Sequence, residues 1–136
     1  MIEYTVKVYS SGDNEWYLNG KWHREDGPAI ERANGDKYWF LDGKPHREDG
    51  PAIEYVDGGK EWYIKGKLHR EDGPAVEWAG GGKSWYINGK GYTEQEYLAK
   101  TNPVKELTVA EIEKLLGYSV KVIKYSKTIF LLELIT

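Results

Sequence analysis

The apolar positions of this chain follow two periods at once. Over short stretches they alternate. Trp16 and Leu18 fall on one face of an extended segment with Tyr17 on the other, and Trp39/Leu41 with Phe40, Trp62/Ile64 with Tyr63 and Trp85/Ile87 with Tyr86 do the same. Over longer distances the pattern returns every 23 residues, the spacing of Trp16, Trp39, Trp62 and Trp85. Each Trp opens a near-identical stretch: WYLNGK, WFLDGK, WYIKGK, WYINGK. The heptapeptide HREDGPA follows at His23, His46 and His69, then a short apolar run (AIER, AIEY, AVEW), then a turn (ANGD, VDGG, AGGG). Each unit thus predicts strand, turn, corner, strand, turn. Aromatic and branched residues suit a pleated surface, Asn-Gly and Asp-Gly are strong tight-turn dipeptides, and glycine accepts the positive φ such turns need. A unit of this size cannot bury its own Trp, but stacked neighbours can. The spacing therefore predicts the four tryptophans as a ladder in the repeat core.

After Gly91 the pattern changes. The fourth HREDGPA is replaced by YTEQEYLAK. Thr93 with Glu96 makes a capping box, so a short helix is expected from Glu94 to the Asn102-Pro103 stop. Thr108 with Glu111 makes a second, followed by Val109, Ile112, Leu115 and Leu116 at helical spacing and by Gly117 as C-cap. Residues 119–123 and 128–135 read as strands around a turn at 125–127. The predicted fold is mainly β: an elongated antiparallel β-hairpin repeat sheet over residues 1–92, with a small C-terminal α+β cap, helix plus hairpin, over 93–136. The N-terminal strand Ile2–Tyr9 is expected to pair with the first unit or to cross to the C-terminal hairpin. The run Ile129–Leu134 is apolar on both faces. It is either a buried strand, the favoured reading, or a dimer edge, which makes the chain a monomer or a homodimer.

Charge and composition narrow the function. The chain has 136 residues and a net charge of −3, without the basic excess of a duplex nucleic-acid binder. Its longest apolar run, Ile129–Leu132, is far too short to span a bilayer, and there is no basic amphipathic helix, so no membrane partner is expected. Cysteine is absent, which excludes disulfides and thiolate zinc sites. The start MIEYTVKVYS has no signal-peptide pattern. A cytoplasmic protein is expected.

The stretch W-Y-L-N-G-K-W-H at 16–23, with A-N-G-D at 33–36, resembles the MORN repeat in order and period. That family joins β-hairpin units of this length into a twisted single-layer antiparallel sheet. The resemblance covers residues 13–92, about three and a half units. It departs at the corner, where Arg-Glu-Asp-Gly-Pro-Ala stands in place of a short His-Gly-x-Gly. HREDGPA arrays resemble proteins of bacteriophages and bacteria, which implies a viral or bacterial source and, if viral, the host cytoplasm. A weaker likeness to choline-binding repeats, through Trp-Tyr-x-x-Gly elements, points to aromatic cages.

HREDGPA holds a metal ligand, a cation and two carboxylates, so it is read first as chemistry. A catalytic site needs different residues converging in different roles, and three identical copies in a solenoid form a row. No P-loop, G-x-S-x-G or HExxH is present. No catalytic residue, metal site or cofactor is expected. Read as structure, Gly-Pro breaks strand pairing, Asp closes a turn, Arg and Glu of adjacent units form an ion-pair ladder, and His bonds from one turn to the next. The expectation is a non-catalytic protein-interaction module, with an inhibitor of a host enzyme or defence complex as its phage form. A small-molecule or nucleotide binder is the alternative. Candidate contact residues are Trp22, Tyr55 and Trp78, at positions where the repeat demands no aromatic. Tyr17, Phe40, Tyr63 and Tyr86 follow on the face opposite the tryptophans, with the evenly spaced Arg24, Arg47 and Arg70.

Overall fold

Four hairpin turns set the geometry of the computed structural model, which describes residues 3–103, 107–126 and 129–134. Asn19-Gly20, Asp42-Gly43, Lys65-Gly66 and Asn88-Gly89 all have positive φ at both positions, near 50° for the first residue and 75–81° for the glycine. This is the doubly left-handed turn whose twist matches the flanking strands. Asn and Asp tolerate it; Lys65 does so against its steric preference.

The chain divides into two compact units, residues 1–102 and 103–136. The first is mainly β. Its main sheet runs Thr5–Val8, Asn14–Leu18, Ile30–Glu31, Lys37–Tyr38, Ile53–Glu54, Lys60–Glu61, Val76–Glu77, Lys83–Ile87 and Lys90–Tyr92, all neighbours antiparallel. The N-terminal strand thus pairs with the first unit, Val6 opposite Trp16. Each Trp segment also forms a tight ribbon with the strand beyond its turn: Tyr17 opposite Trp22, Phe40 opposite Pro45, Tyr63 opposite Leu68. Successive units are joined through the backbone, as where Gly43 N–H donates to Trp22 O at 2.9 Å and Arg24 N–H to Phe40 O at 3.1 Å.

The core does not lie where the aromatic ladder predicts it. The four repeat tryptophans are only half-buried and make no ring pairs with one another among the described residues. Ala29, Ala52 and Ala75 are 0% exposed, and Ile30, Ile53 and Val76 beside them are buried. These are the last residue of each HREDGPA and the first of the strand after it. Each alanine carbonyl accepts the N–H of its own unit's Trp at 2.7–2.8 Å, so the fully buried methyls lie where two chain segments are joined backbone to backbone.

Helix α1, Glu94–Thr101, begins with the Thr93/Glu96 capping box, both bonds formed. It falls within the first compact unit, which runs to Asn102. The second unit holds α2, Val109–Leu116, capped by Thr108/Glu111 and closed by Gly117 at φ 75°. It also holds an antiparallel hairpin, Val120–Ser126 with Ile129–Leu134. The strand runs through Ser126, past the expected start of the turn. The side chains of Ile129–Leu134, on which the choice between buried strand and dimer edge depends, lie outside the described residues.

Candidate functional site

The three corners repeat one set of bonds, beginning with histidine. Nδ1 of His23 accepts the N–H of Asp42 at 3.0 Å, Nδ1 of His46 that of Lys65 at 2.9 Å, and Nδ1 of His69 that of Asn88 at 3.0 Å. Each donor is the first residue of the next unit's left-handed turn. The histidine therefore satisfies an N–H that the turn leaves without a ladder partner. Accepting at Nδ1 places the proton on Nε2, which faces the glutamate two residues on at 3.5–3.7 Å. The expected turn-to-turn role is what the structure contains, and no group of three His, Cys, Asp or Glu among the described residues could hold a metal ion.

The arginine beside it lies over the tryptophan ring of its own unit. Cζ of Arg24, Arg47 and Arg70 is 4.1, 4.0 and 3.8 Å from the ring centres of Trp16, Trp39 and Trp62. Nε donates to the motif aspartate at 2.8–2.9 Å, and Nη1 to the Pro carbonyl at 3.1–3.2 Å. Nη1 of Arg47 and Arg70 also reaches Glu54 and Glu77. The motif glycine lets the guanidinium sit close against the backbone: a Cβ on Gly27, Gly50 or Gly73 would lie 2.9–3.1 Å from the guanidinium carbon. The guanidinium beside Asp26, Asp49 and Asp72 holds each carboxyl below its ordinary range. Two expectations change here. The ion pairs lie within a unit and use the motif Asp, because stacking on Trp aims Nε inward at i+2. Arg24, Arg47 and Arg70 form no free basic row, since each planar fork is taken up by ring, carbonyl and carboxylate. What the corners expose are carboxylates: Glu25, Glu48 and Glu71 with Asp26, Asp49 and Asp72.

The opposite face carries the other candidate aromatics around two carboxylates that sequence reasoning missed. Buried Glu15 receives the hydroxyls of Tyr17 and Tyr9, Nε1 of Trp22 at 3.5 Å and Nη1 of Arg32 at 2.8 Å. Burial raises its pKa, but these donors outweigh it and hold the carboxyl low. The same bond pushes Tyr17 up to about 12. Trp22 packs against Phe40 at 5.5 Å. Two units on, Glu61 takes the hydroxyls of Tyr55 at 3.1 Å and Tyr63 at 2.9 Å. Burial first, then the carboxylate, pushes Tyr55 to about 12 and raises Tyr63. Trp78 stands at the repeat position held by Arg32, and no Arg or Lys pairs with Glu61 among the described residues. Tyr55, Glu61 and Trp78 line a cavity of about 240 Å³. Trp78 is 53% exposed; Trp22 and Tyr55 are half-buried partners of these clusters. Tyr86 is half-buried against Gly91.

Between successive corners run grooves. One, of about 760 Å³, has Trp39 and Leu41 as its floor and the first two corners as walls; the next, about 710 Å³, has Trp62 and Ile64 between the second and third. The third, over Trp85 and Ile87, is bounded by the third corner and by α1, which takes the place of a fourth corner and leaves two smaller cavities of about 230 and 340 Å³. Tyr97 of α1 is buried there. Its hydroxyl donates to Arg70 O at 2.8 Å and accepts Gly73 N–H at 3.0 Å. The signal for Tyr97 in the sequence is the loss of HREDGPA at that point. Comparison with family models, curated proteins and solved structures returns no match.

Proposed function

We propose that this chain is a non-catalytic protein-interaction module. One observation carries the reading: the His, Arg and Asp of HREDGPA are each engaged in holding a turn or a corner of the repeat, while the grooves between corners stay open. His spends Nδ1 on a turn, Arg spends its fork on Trp, Asp and Pro, and Asp spends its oxygen on Arg. Three copies of one structural corner give a regular surface, the usual basis of recognition in repeat proteins. The MORN-like sequence pattern supports the same reading, and its likeness to phage arrays favours an inhibitor of a host enzyme or defence complex, acting in the cytoplasm.

The test is native mass spectrometry of the tagged chain recovered from a bacterial host. A protein bound at fixed stoichiometry is expected, and lost in the double variant Glu48→Lys/Glu71→Lys, which reverses exposed charges while sparing the Arg–Trp stacks. A bare chain under gentle conditions would count against the module.

A second reading, a small-molecule binder, is favoured by the Glu61 cavity. In the first unit Arg32 supplies the cation to Glu15; at Glu61 that place is aromatic, so a small organic cation fits the vacancy in charge. A tetramethylammonium titration that shifts the Trp78 indole N–H signal would support it, and no shift at any concentration would remove it.

A further inference from the structure

We infer that the two open grooves are slots for tyrosine side chains of a basic partner polypeptide. The inference rests on the interaction-module reading and names the chemistry of its partner. The chain itself supplies the pattern. In the third groove, which Trp85 also lines, the Tyr97 phenol closes two backbone groups of the corner, Arg70 C=O and Gly73 N–H. The first two corners have the same sequence and the same internal bonds, so they hold the same pair of groups in the same relation. Among the described residues nothing bonds to Arg24 C=O and Gly27 N–H, or to Arg47 C=O and Gly50 N–H. A donor and an acceptor so placed match a hydroxyl, which both gives and receives, and not a carboxylate or an ammonium. Beside the arginine-covered indoles, Leu41 in the first groove and Ile64 in the second supply apolar surface for the ring.

The walls set the charge of the occupant. Glu48, Asp49, Glu71 and Asp72 have side chains 78–86% exposed, and the neighbouring arginines are already paired. The third groove again shows the complement: Lys100, one helical turn past Tyr97, lines a cavity of about 340 Å³ together with Glu71. Neighbouring slots are two strands apart, about 10 Å, so one partner surface can fill both.

The first experiment titrates the full ¹⁵N-labelled chain with N-acetyl-tyrosinamide and, in parallel, N-acetyl-phenylalaninamide. Saturable shifts of the Gly27 and Gly50 amides with the phenol are expected, weaker by far with phenylalanine, with Gly73 unmoved because Tyr97 fills its slot. Silence at Gly27 and Gly50, equal response to both amides, or a Gly73 response as large as theirs would overturn the assignment. The second compares Ac-Tyr-Ala-Ala-Lys-amide with Ac-Tyr-Ala-Ala-Glu-amide. The lysine peptide is expected to bind several-fold tighter at low salt, with the gap closing at high salt; equal or reversed affinities overturn the basic partner. A captured protein that leaves both amides unmoved defeats the slots and not the module. Responding slots with no protein ever captured would defeat the module and not the slots.

Discussion

At the scale of single residues, the repeat is written in side chains that satisfy one particular backbone group. His46 is the plainest case. Replacing it with Ala removes the acceptor of the exposed Lys65 N–H, a net loss of about 0.5–1.5 kcal/mol, read as a lower urea midpoint. Asn at the same position, with a carbonyl of shorter reach, should recover only part of the loss. Lys65 offers the opposite experiment. It sits at φ 49° where the other three turns carry Asn or Asp, and a left-handed L-residue costs about 1–2 kcal/mol that Asn largely avoids. Lys65→Asn is therefore expected to stabilise the chain by about 0.5–1 kcal/mol in the same titration. Tyrosine 17 gives a pH signature. Its folded pKa, about 12, is raised above the ordinary phenol value of 10. The stabilisation is thus complete below pH 10 and disappears as pH rises through 12. Absorbance at 295 nm should show a late phenolate step, and Glu15→Gln should bring part of it down toward 10.

At the scale of elements, the Arg–Trp stack explains why the corner tolerates so little variation. Gly50→Ala puts a methyl 3.1 Å from the Arg47 guanidinium carbon, so the guanidinium must give by a few tenths of an ångström against the ring, aspartate and carbonyl that hold it. A loss of about 1–2 kcal/mol is expected, in line with overpacking at a tight contact. Its marker is a fluorescence change at Trp39 that the same substitution at exposed Gly80 does not produce. This stack also marks the limit of what the sequence discloses. The 23-residue period, the turn dipeptides, both capping boxes and the strand alternation were legible because each is a local signal with a local cause. That Arg47 would lie on Trp39, eight residues back in its own unit, was not. Nothing in a linear pattern distinguishes that contact from one to the next unit, where the same residue types recur. The alanine core escaped for a related reason. Hydrophobic size points to the tryptophans, whereas the fully buried methyls lie where two chain segments are joined backbone to backbone. Of the contact residues expected from sequence, Trp78 is the one left exposed; Trp22 and Tyr55 became partners of Glu15 and Glu61, carboxylates that no motif marks.

At the scale of the whole molecule, identity between corners makes units interchangeable. Deleting residues 47–69 joins His46 to Arg70 and rebuilds one HREDGPA from halves of two. Each contact the joint needs already exists, so the shortened chain is expected to fold with a lower melting temperature and an unchanged far-ultraviolet spectrum. A collapse to an unfolded spectrum would mean that the middle unit supplies something its neighbours do not. Acid should weaken the whole array together. The carboxyls of Asp26, Asp49 and Asp72 are held low by their arginines, so the stability they give is present above the ordinary carboxylate range and is lost as pH falls through their depressed values.

The antiparallel order of the sheet, in which each strand lies beside the one before it, also fixes how the repeat region answers to force. A load on its two ends pulls neighbouring strands apart sideways, so hydrogen bonds break one after another and never all at once. Each unit that peels away releases 23 residues of slack, about 80 Å of extended chain. Stretched between a bead and a surface, the array would lengthen in even, low-force steps and act as a ratcheted spring instead of a rigid strut.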